Sequence, residues 1–220
     1  MAFNIDVISD VVCPWCFIGK RHLERALELW QSRYPDEIPT VRWHPFQLNP
    51  QLPAGGVPRK QYLEDKFGGP ERAKEIYARV SAAGKRAGID FAFDAIQVQP
   101  NTIDAHRLLH YAGERGQQDA MAETMFRHYF EQGADLTDKE TLADIAAQAG
   151  MNRDEVLTYL TGDADRALIE EQDRRARATG VQGVPFFIFN QRVALSGAQP
   201  PEVILDAMEK AREELAATPQ

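Results

Sequence analysis

The chain has almost no cysteine: two residues in 220, Cys13 and Cys16. A small secreted scaffold held by disulfides carries more of them, more widely spaced, so that class is excluded. There is no basic surplus either, with 25 Lys and Arg against 33 Asp and Glu and a net charge of −8. A nucleic-acid binder carries such a surplus or a basic stripe, so no nucleic-acid partner is expected. The densest basic stretch, Arg174, Arg175 and Arg177, follows Glu170, Glu171 and Asp173. It reads as a solvated helix face with i, i+4 ion pairs. No apolar run approaches the ~18 residues that cross a bilayer, so no membrane partner is expected. Met1–Ser9 reads as a short strand-like segment without the basic start or long apolar stretch of a secretory signal, and the expectation is a cytosolic protein.

What is present is a globular composition, 44% hydrophobic and 26% charged. Residues 3–9 alternate apolar (Phe3, Ile5, Val7) and polar (Asn4, Asp6), as a half-buried strand does. A helix is predicted from near Cys13 to about Arg33, with Leu23, Ala26, Leu27 and Trp30 on one buried face. Pro35 and Pro39 close it, and Thr40–Phe46 alternates again as a second strand. Two strands joined by a helix imply parallel pairing with a right-handed crossover. Near the other end, Phe186–Phe189 is a continuous apolar run, the pattern of a central strand covered on both faces. Asn190-Gln191 suits a tight turn, Arg192–Leu195 a returning strand, and Pro200-Pro201 the start of a helix whose inner face is Val203, Ala207, Ala211 and Leu215.

Between these halves the sequence reads as helices over 59–67, 71–87, 102–115, 119–132, 139–149, 153–160 and 165–178, punctuated by glycines. They do not repeat at a fixed period, which excludes a helical solenoid. Gln47–Pro58, rich in Pro and Gly, reads as the linker into them. The expected division is residues 1–56 and 181–220 for the two parts of an α/β domain and 57–180 for a helical insertion.

Cys13-Pro14-Trp15-Cys16 falls where the first strand hands over to the first helix. A cysteine at a helix N-terminus faces unpaired N–H groups and the positive end of the macrodipole, which favour the thiolate that attacks disulfides. Pro14 suits the first helical turn, and Cys16, one turn on, can reach Cys13. Such a pair beside a βαβ pattern signals thioredoxin-like redox chemistry. Zinc would need further ligands; no third cysteine exists, and His106 and His110 have nothing tying them to the pair, so no metal is expected. Two inert structural thiols are the remaining plain alternative. Val184-Pro185 directly precedes the central strand, where proline cannot donate to the ladder. Taken alone the pair reads as an ordinary trans proline capping a strand; with a Cys-x-x-Cys motif upstream, a cis bond is expected there. Asn101 is read either as a plain helix cap or turn residue or as a contributor to the active cleft, and His106 as helix packing ahead of catalysis. Trp15 is expected to be exposed and to contact partners.

Taken together, Ser9-Asp10-Val11-Val12-Cys13-Pro14-Trp15-Cys16, the stretch from Trp43 to Pro50, Asn101-Thr102 with Ala105-His106-Arg107-Leu108, and Gly180-Val181 with Gly183-Val184-Pro185 resemble the DsbA superfamily, and within it the FrnE-like branch. The resemblance implies a thioredoxin fold with a large all-helical domain inserted between its second and third strands. It implies catalytic Cys13 and Cys16, and substrate-binding Pro14, Trp15, Val184, Pro185 and Asn101. No second cysteine pair follows, so a built-in second shuttle is excluded. The activity implied is thiol–disulfide exchange with protein or small-molecule thiols and disulfides, glutathione among the candidates, without a cofactor. The alternatives are a glutathione-dependent isomerase of hydroxychromene carboxylates or a kappa-class-like glutathione transferase, relatives that usually carry serine where this chain has Cys13, and, outside enzymology, a non-catalytic binding or chaperone-like module.

Trp15 brings no charge to the Cys13 thiolate, whereas a histidine could bring both charge and an N–H donor. The pair is therefore expected between thioredoxin, about −270 mV, and DsbA, about −120 mV, and nearer the former. In a cytosol poised at about −220 to −320 mV that favours reductase or isomerase work. Trp15→His is expected to lower the Cys13 pKa and raise the potential, by roughly 30 mV per pKa unit. Equilibration of both proteins with glutathione buffers measures this; an unchanged potential would refute it.

Overall fold

Strand β1 (Asn4–Ser9) and the helix that follows it, α1 (Pro14–Arg33), form as their patterns require. Ile5 and Val7 are buried while Asn4 and Asp6 are less so, and Leu23, Ala26 and Trp30 of α1 are buried on one face. The computed structural model describes residues 3–216; Met1 and Ala2 of the expected strand segment lie outside the described residues. Strand β2 (Thr40–Pro45) pairs parallel to β1, from Asn4 opposite Thr40 to Ser9 opposite Pro45. The chain then enters the helical part through β3 (Val57–Pro58), α2 (Arg59–Phe67) and α3 (Pro70–Arg86). A short 3₁₀ turn (Phe93–Ala95) leads to β4 (Val98–Gln99), which pairs antiparallel with β3. Helices α4 (Ile103–Gly113), α5 (Gln118–Gln132), α6 (Lys139–Gln148), α7 (Arg153–Thr161) and α8 (Arg166–Ala178) follow. Strands β5 (Phe186–Phe189) and β6 (Val193–Ser196) and helix α9 (Pro201–Ala216) complete the described chain. No helix among the described residues is long and apolar enough to cross a membrane.

The main sheet has the order β2-β1-β5-β6, so the helices lie between its second and third strands in chain order, as expected. Strand β5 pairs antiparallel with β1, placing Phe187 opposite Val7 and Phe189 opposite Ile5. Asn190 and Gln191 make the predicted turn, with φ of 49° and 56°, and Arg192 N–H donates to the Phe189 carbonyl at 3.0 Å. Non-glycine residues are uncommon at such φ, and Asn tolerates it better than most. Here the turn is pinned to β1, because Asn190 N–H donates to the Asn4 carbonyl and its side-chain oxygen accepts from Asn4 N–H, both at 2.8 Å. The two faces of β5 are covered unequally. Phe187 and Phe189 are fully buried in the main core, whereas Phe186 and Ile188 are half-buried against a smaller cluster with Ile8, Phe46, Ala176 and Val181.

Phe17 of α1 joins this sheet layer to the helices. Its ring stacks on Phe126 and Phe130 of α5, at 5.2 and 6.1 Å between centroids, and meets Phe91 edge-on. Beside it Lys20, 2% exposed, is matched by Glu24, Asp119 and Glu123. Gln118 covers the edge of β2, accepting from Trp43 N–H at 2.9 Å and donating to the Trp43 carbonyl at 3.0 Å, which occupies backbone groups an edge strand would otherwise expose.

Two expectations need correcting. In α9 the buried residues are Ile204, Leu205, Ala207, Met208 and Ala211, and Val203 is 39% exposed. The helix turns 100° per residue, so a strict four-residue stripe drifts off the buried face. The acidic and basic stretch of α8 is only partly solvated. Arg174 and Arg175 pair with Glu171 on the surface, but Asp173 is buried and accepts from Gln47 N–H at 2.8 Å, while Arg177 donates to the Gln47 carbonyl. These contacts hold the chain leaving β2.

The Val184-Pro185 peptide is cis, and Pro185 sits against Gly19 on α1. A Cβ at Gly19 would lie 2.9 Å from Pro185 Cγ and 3.3 Å from Phe187 Cζ; only glycine permits this approach. Gly19→Ala is therefore expected to destabilise by about 1–3 kcal/mol through overpacking, against its gain in helix propensity. Phe17→Ala is expected to cost about 3–5 kcal/mol by emptying the aromatic contact between layers. Urea unfolding followed by circular dichroism measures both, and wild-type midpoints would contradict the packing account.

Candidate active site

Cys13 is the N-cap of α1, and Pro14 occupies the first helical position. Its N–H donates to the Asp10 carbonyl at 3.0 Å and its carbonyl accepts from Cys16 N–H at 2.9 Å, so the loop 10–13 delivers the sulfur to the helix mouth. Both cysteines are free thiols. Cys16 is 1% exposed and sits behind Cys13, which is 5% exposed and lines a cleft of about 320 Å³. Burial above all, then the hydrogen bond that the Cys16 S–H donates to Cys13 and the charge on Cys13, pushes the Cys16 thiol well above the ordinary thiol range. Hydrogen bonds from Ser9 and Asp10 oppose this without reversing it.

The cis peptide faces the pair. Cys13 Sγ lies 3.6 Å from the Val184 carbonyl oxygen, joining residues 171 positions apart. Val184, Gly183, Pro14 and Trp15 line the same cleft, and Trp15 is 42% exposed at its rim. Pro185 itself is buried behind them, and its carbonyl accepts from Gly197 N–H at 2.8 Å. The site residues from the first turn of α1 and from the loop before β5 are thus brought together.

Asn101 is placed elsewhere. Its side-chain oxygen accepts from Gln47 Nε2 at 3.0 Å and from Ile103 N–H at 3.1 Å, and its amide donates to the Leu52 carbonyl at 2.8 Å. It is a turn residue bracing the linker, and it lines a neighbouring cavity with Gln47, Arg166 and Arg177, apart from the cysteine cleft. His106 is buried, with Nε2 3.3 Å from Oδ1 of Asp10; neither atom has a hydrogen-bond partner. Asp10 Oδ2 accepts from Leu48 N–H at 2.7 Å and so fixes a second wall of the cleft.

That far wall went unread in the sequence. It comprises Leu48 and Asn49 after β2, Tyr62, Lys66 and Phe67 of α2, Ile76, Tyr77 and Val80 of α3, and Gln99 of β4. Leu48 and Asn49 belong to a stretch already singled out, so a signal existed there. Tyr77 carries no signal of its own, sitting in an ordinary amphipathic helix, and Gln99 belongs to a two-residue strand too short to show a period. The wall is mostly apolar, with a polar run at its rim in which Lys66 Nζ donates to the Tyr62 hydroxyl at 2.9 Å and that hydroxyl donates to Asn49 Oδ1 at 2.7 Å. Among the described residues no group of three or more His, Cys, Asp and Glu is arranged to hold a metal.

Comparison with known proteins agrees with this geometry. A DSBA-like thioredoxin domain matches residues 4–209. The structure of a probable DsbA oxidoreductase from Streptomyces coelicolor is similar at a TM-score of 0.88 and 31% identity, over 99% of this chain and 92% of its own. YwbO, an uncharacterized protein of Bacillus subtilis, is 25% identical over 216 residues, 94% of this chain and 96% of its own. At the level of fold alone, a 2-hydroxychromene-2-carboxylate isomerase aligns with a TM-score of 0.69 and 16% identity, over 99% of this chain and all of its own. The cytosolic disulfide reductase DsbM of Pseudomonas aeruginosa, solved with glutathione, aligns at 0.59 and 17%, over 97% of both chains. A free Cys-x-x-Cys pair at a helix start, facing a cis proline across the sheet and lying within a match to nearly the whole chain, makes this protein a member of the DSBA-like thioredoxin family of thiol–disulfide oxidoreductases.

Proposed function

We propose that the protein reduces or isomerises disulfides in the cytosol, with Cys13 as nucleophile and Cys16 as resolving thiol. The observation that carries this is the difference between the two sulfurs. Cys13 lines the cleft at the start of α1, while Cys16 is buried and kept protonated by burial and by its neighbour. The Cys13 thiolate attacks one sulfur of a substrate disulfide, forming a mixed disulfide and releasing one substrate thiolate. Cys16 then gives its proton to solvent or to the thiolate already released and attacks Cys13 Sγ, forming the Cys13–Cys16 disulfide and releasing the second thiolate. The substrate gains two electrons and the cysteine pair loses them; two equivalents of a monothiol such as glutathione restore the pair and leave as their own disulfide. An extended substrate segment lying along the backbone at Val184 would be held by strand addition, with Trp15 at the rim as a partner contact.

The second reading, a glutathione-dependent isomerase or transferase, draws support from the fold shared with the hydroxychromene carboxylate isomerase. It is disfavoured by Cys16, which such chemistry does not need.

Alkylation of the reduced protein near neutral pH is expected to modify Cys13 first, and Cys16 only as the pH rises well beyond the usual thiol range. Cys16→Ser is expected to accumulate mixed disulfides and lose multiple turnover, and Cys13→Ser to lose all exchange activity. Mass spectrometry of the labelled peptides and an insulin-reduction assay read these outcomes. Full turnover by the Cys16→Ser variant would instead favour the glutathione-dependent reading.

A further inference from the structure

Three cations are buried among the described residues: Lys20, Arg59 and Arg107. Lys20 is matched by Glu24, Asp119 and Glu123, and Arg107 by Asp104 together with carbonyls around Tyr159 and Gly162. Arg59 differs. It is 3% exposed, and its polar partners among the described residues are all neutral. Nη1 donates to Gln99 Oε1 at 2.8 Å and to the Tyr129 hydroxyl at 3.0 Å, and Nη2 donates to the Tyr77 hydroxyl at 3.1 Å. Nε has no partner. Arg59 is also the first residue of α2, whose first turn contains no acid, so its charge opposes the positive end of the helix. Buried charges are ordinarily paired; this one makes no ion pair among the described residues.

The geometry dictates what Arg59 does to its neighbours. A guanidinium only donates, so the Gln99 amide must turn its oxygen toward Arg59. Its NH₂ group then points away, and Gln99 lines the cysteine cleft. The Tyr77 hydroxyl likewise spends a lone pair on Arg59, and its hydrogen finds no acceptor among the described residues; Tyr77 lines the same cleft.

We propose that Arg59 is a positioning residue that turns the Tyr77 O–H and the Gln99 N–H into the cleft, where this donor pair stabilises the negative charge of the Cys13 thiolate. The inference rests on the reading of Cys13 as nucleophile. It adds the residues that receive the sulfur charge, and it gives the unpaired Arg59 its counter-charge, one layer away through two hydrogen bonds. Hydrogen bonds to a charged group are roughly twice as strong as neutral ones, so the pair favours thiolate over thiol. Electrostatics agree with this arrangement. Burial raises the Tyr77 hydroxyl pKa, Arg59 lowers it, and the charge on Cys13 raises it, so the two groups sense each other. The other charged or titratable groups facing this cluster are Tyr62 and Lys66 of α2, Tyr129 of α5, Asp10 ahead of Cys13, and Cys16 one turn after it.

The test measures the pH dependence of Cys13 alkylation and of thiolate ultraviolet absorbance in the full-length reduced protein. Tyr77→Phe and Gln99→Met each remove one donor while keeping the shape of the wall. Each is expected to move the midpoint up by about half to one pH unit, a three- to tenfold loss of thiolate well below the midpoint. Arg59→Lys keeps the charge but loses the planar fork whose two nitrogens reach Gln99 and Tyr77 separately, so it is expected to shift the midpoint in the same direction. All three should lower the reduction potential. If Arg59→Lys unfolds, the Tyr77 and Gln99 variants decide the matter, with thermal melts near wild type as their control. Unmoved midpoints in both, with Cys13 still the labelled residue, would overturn this inference alone. Labelling of Cys16 ahead of Cys13 in the unaltered protein would overturn the nucleophile assignment and this inference with it.

Discussion

Everything at the site depends on β1 and β5 lying side by side. Each is short, and they are separated by most of the chain, yet their pairing puts Ile8 opposite Phe186 at the ends nearest the cysteines. From there β1 runs on into the loop that presents Cys13, and β5 is entered through Val184-Pro185. The distance of 3.6 Å between Cys13 Sγ and the Val184 carbonyl follows from that register. A slip by one residue would turn Phe187 and Phe189 out of the core, and the loss of their burial is what forbids it.

The interior sorts charge by purpose. Lys20 is buried with a carboxylate partner on α5, whereas Arg107–Asp104 and Asp173–Arg177 pair within their own helices and join other segments through Tyr159, Gly162 and Gln47. Close to the sulfurs the pattern changes: Arg59 has only neutral partners, and Asp10 and His106 approach at 3.3 Å without a hydrogen bond. Polar groups left incompletely satisfied in a buried site are costly; Asp10, three residues before Cys13, is one of them, and Arg59 lies one layer behind the cleft through Tyr77 and Gln99.

The helical segment is part of the site as well as an attachment to the sheet. Its α2, α3 and β4 supply the wall that faces Cys13, and Phe17, one residue after Cys16, is clamped by Phe126 and Phe130 of α5. The first turn of α1 is therefore held from both sides, by the cis-proline loop through Gly19 and by the aromatic contact through Phe17.

The sequence by itself determined whatever depends on near neighbours in the chain. Alternation over 3–9, apolar spacing along α1, the Asn190-Gln191 turn and the helices of the middle segment were all legible, because hydrophobic period, proline and glycine act within a few residues. The Cys-Pro-Trp-Cys pair was legible for the same reason: its chemistry needs only spacing and a helix start. Tertiary structure alone decided which distant residues complete the cleft. Tyr77 and Gln99 share a cleft with Cys13 because α3 and β4 fold over the mouth of α1, and nothing in their local pattern separates them from packing residues. Asn101 shows the converse, a residue in a suggestive sequence context that the fold turns toward Gln47 and Leu52. Arg59 was invisible because an arginine at a helix start is normally solvated. Only three neutral acceptors, converging from α3, α5 and β4, make its burial possible.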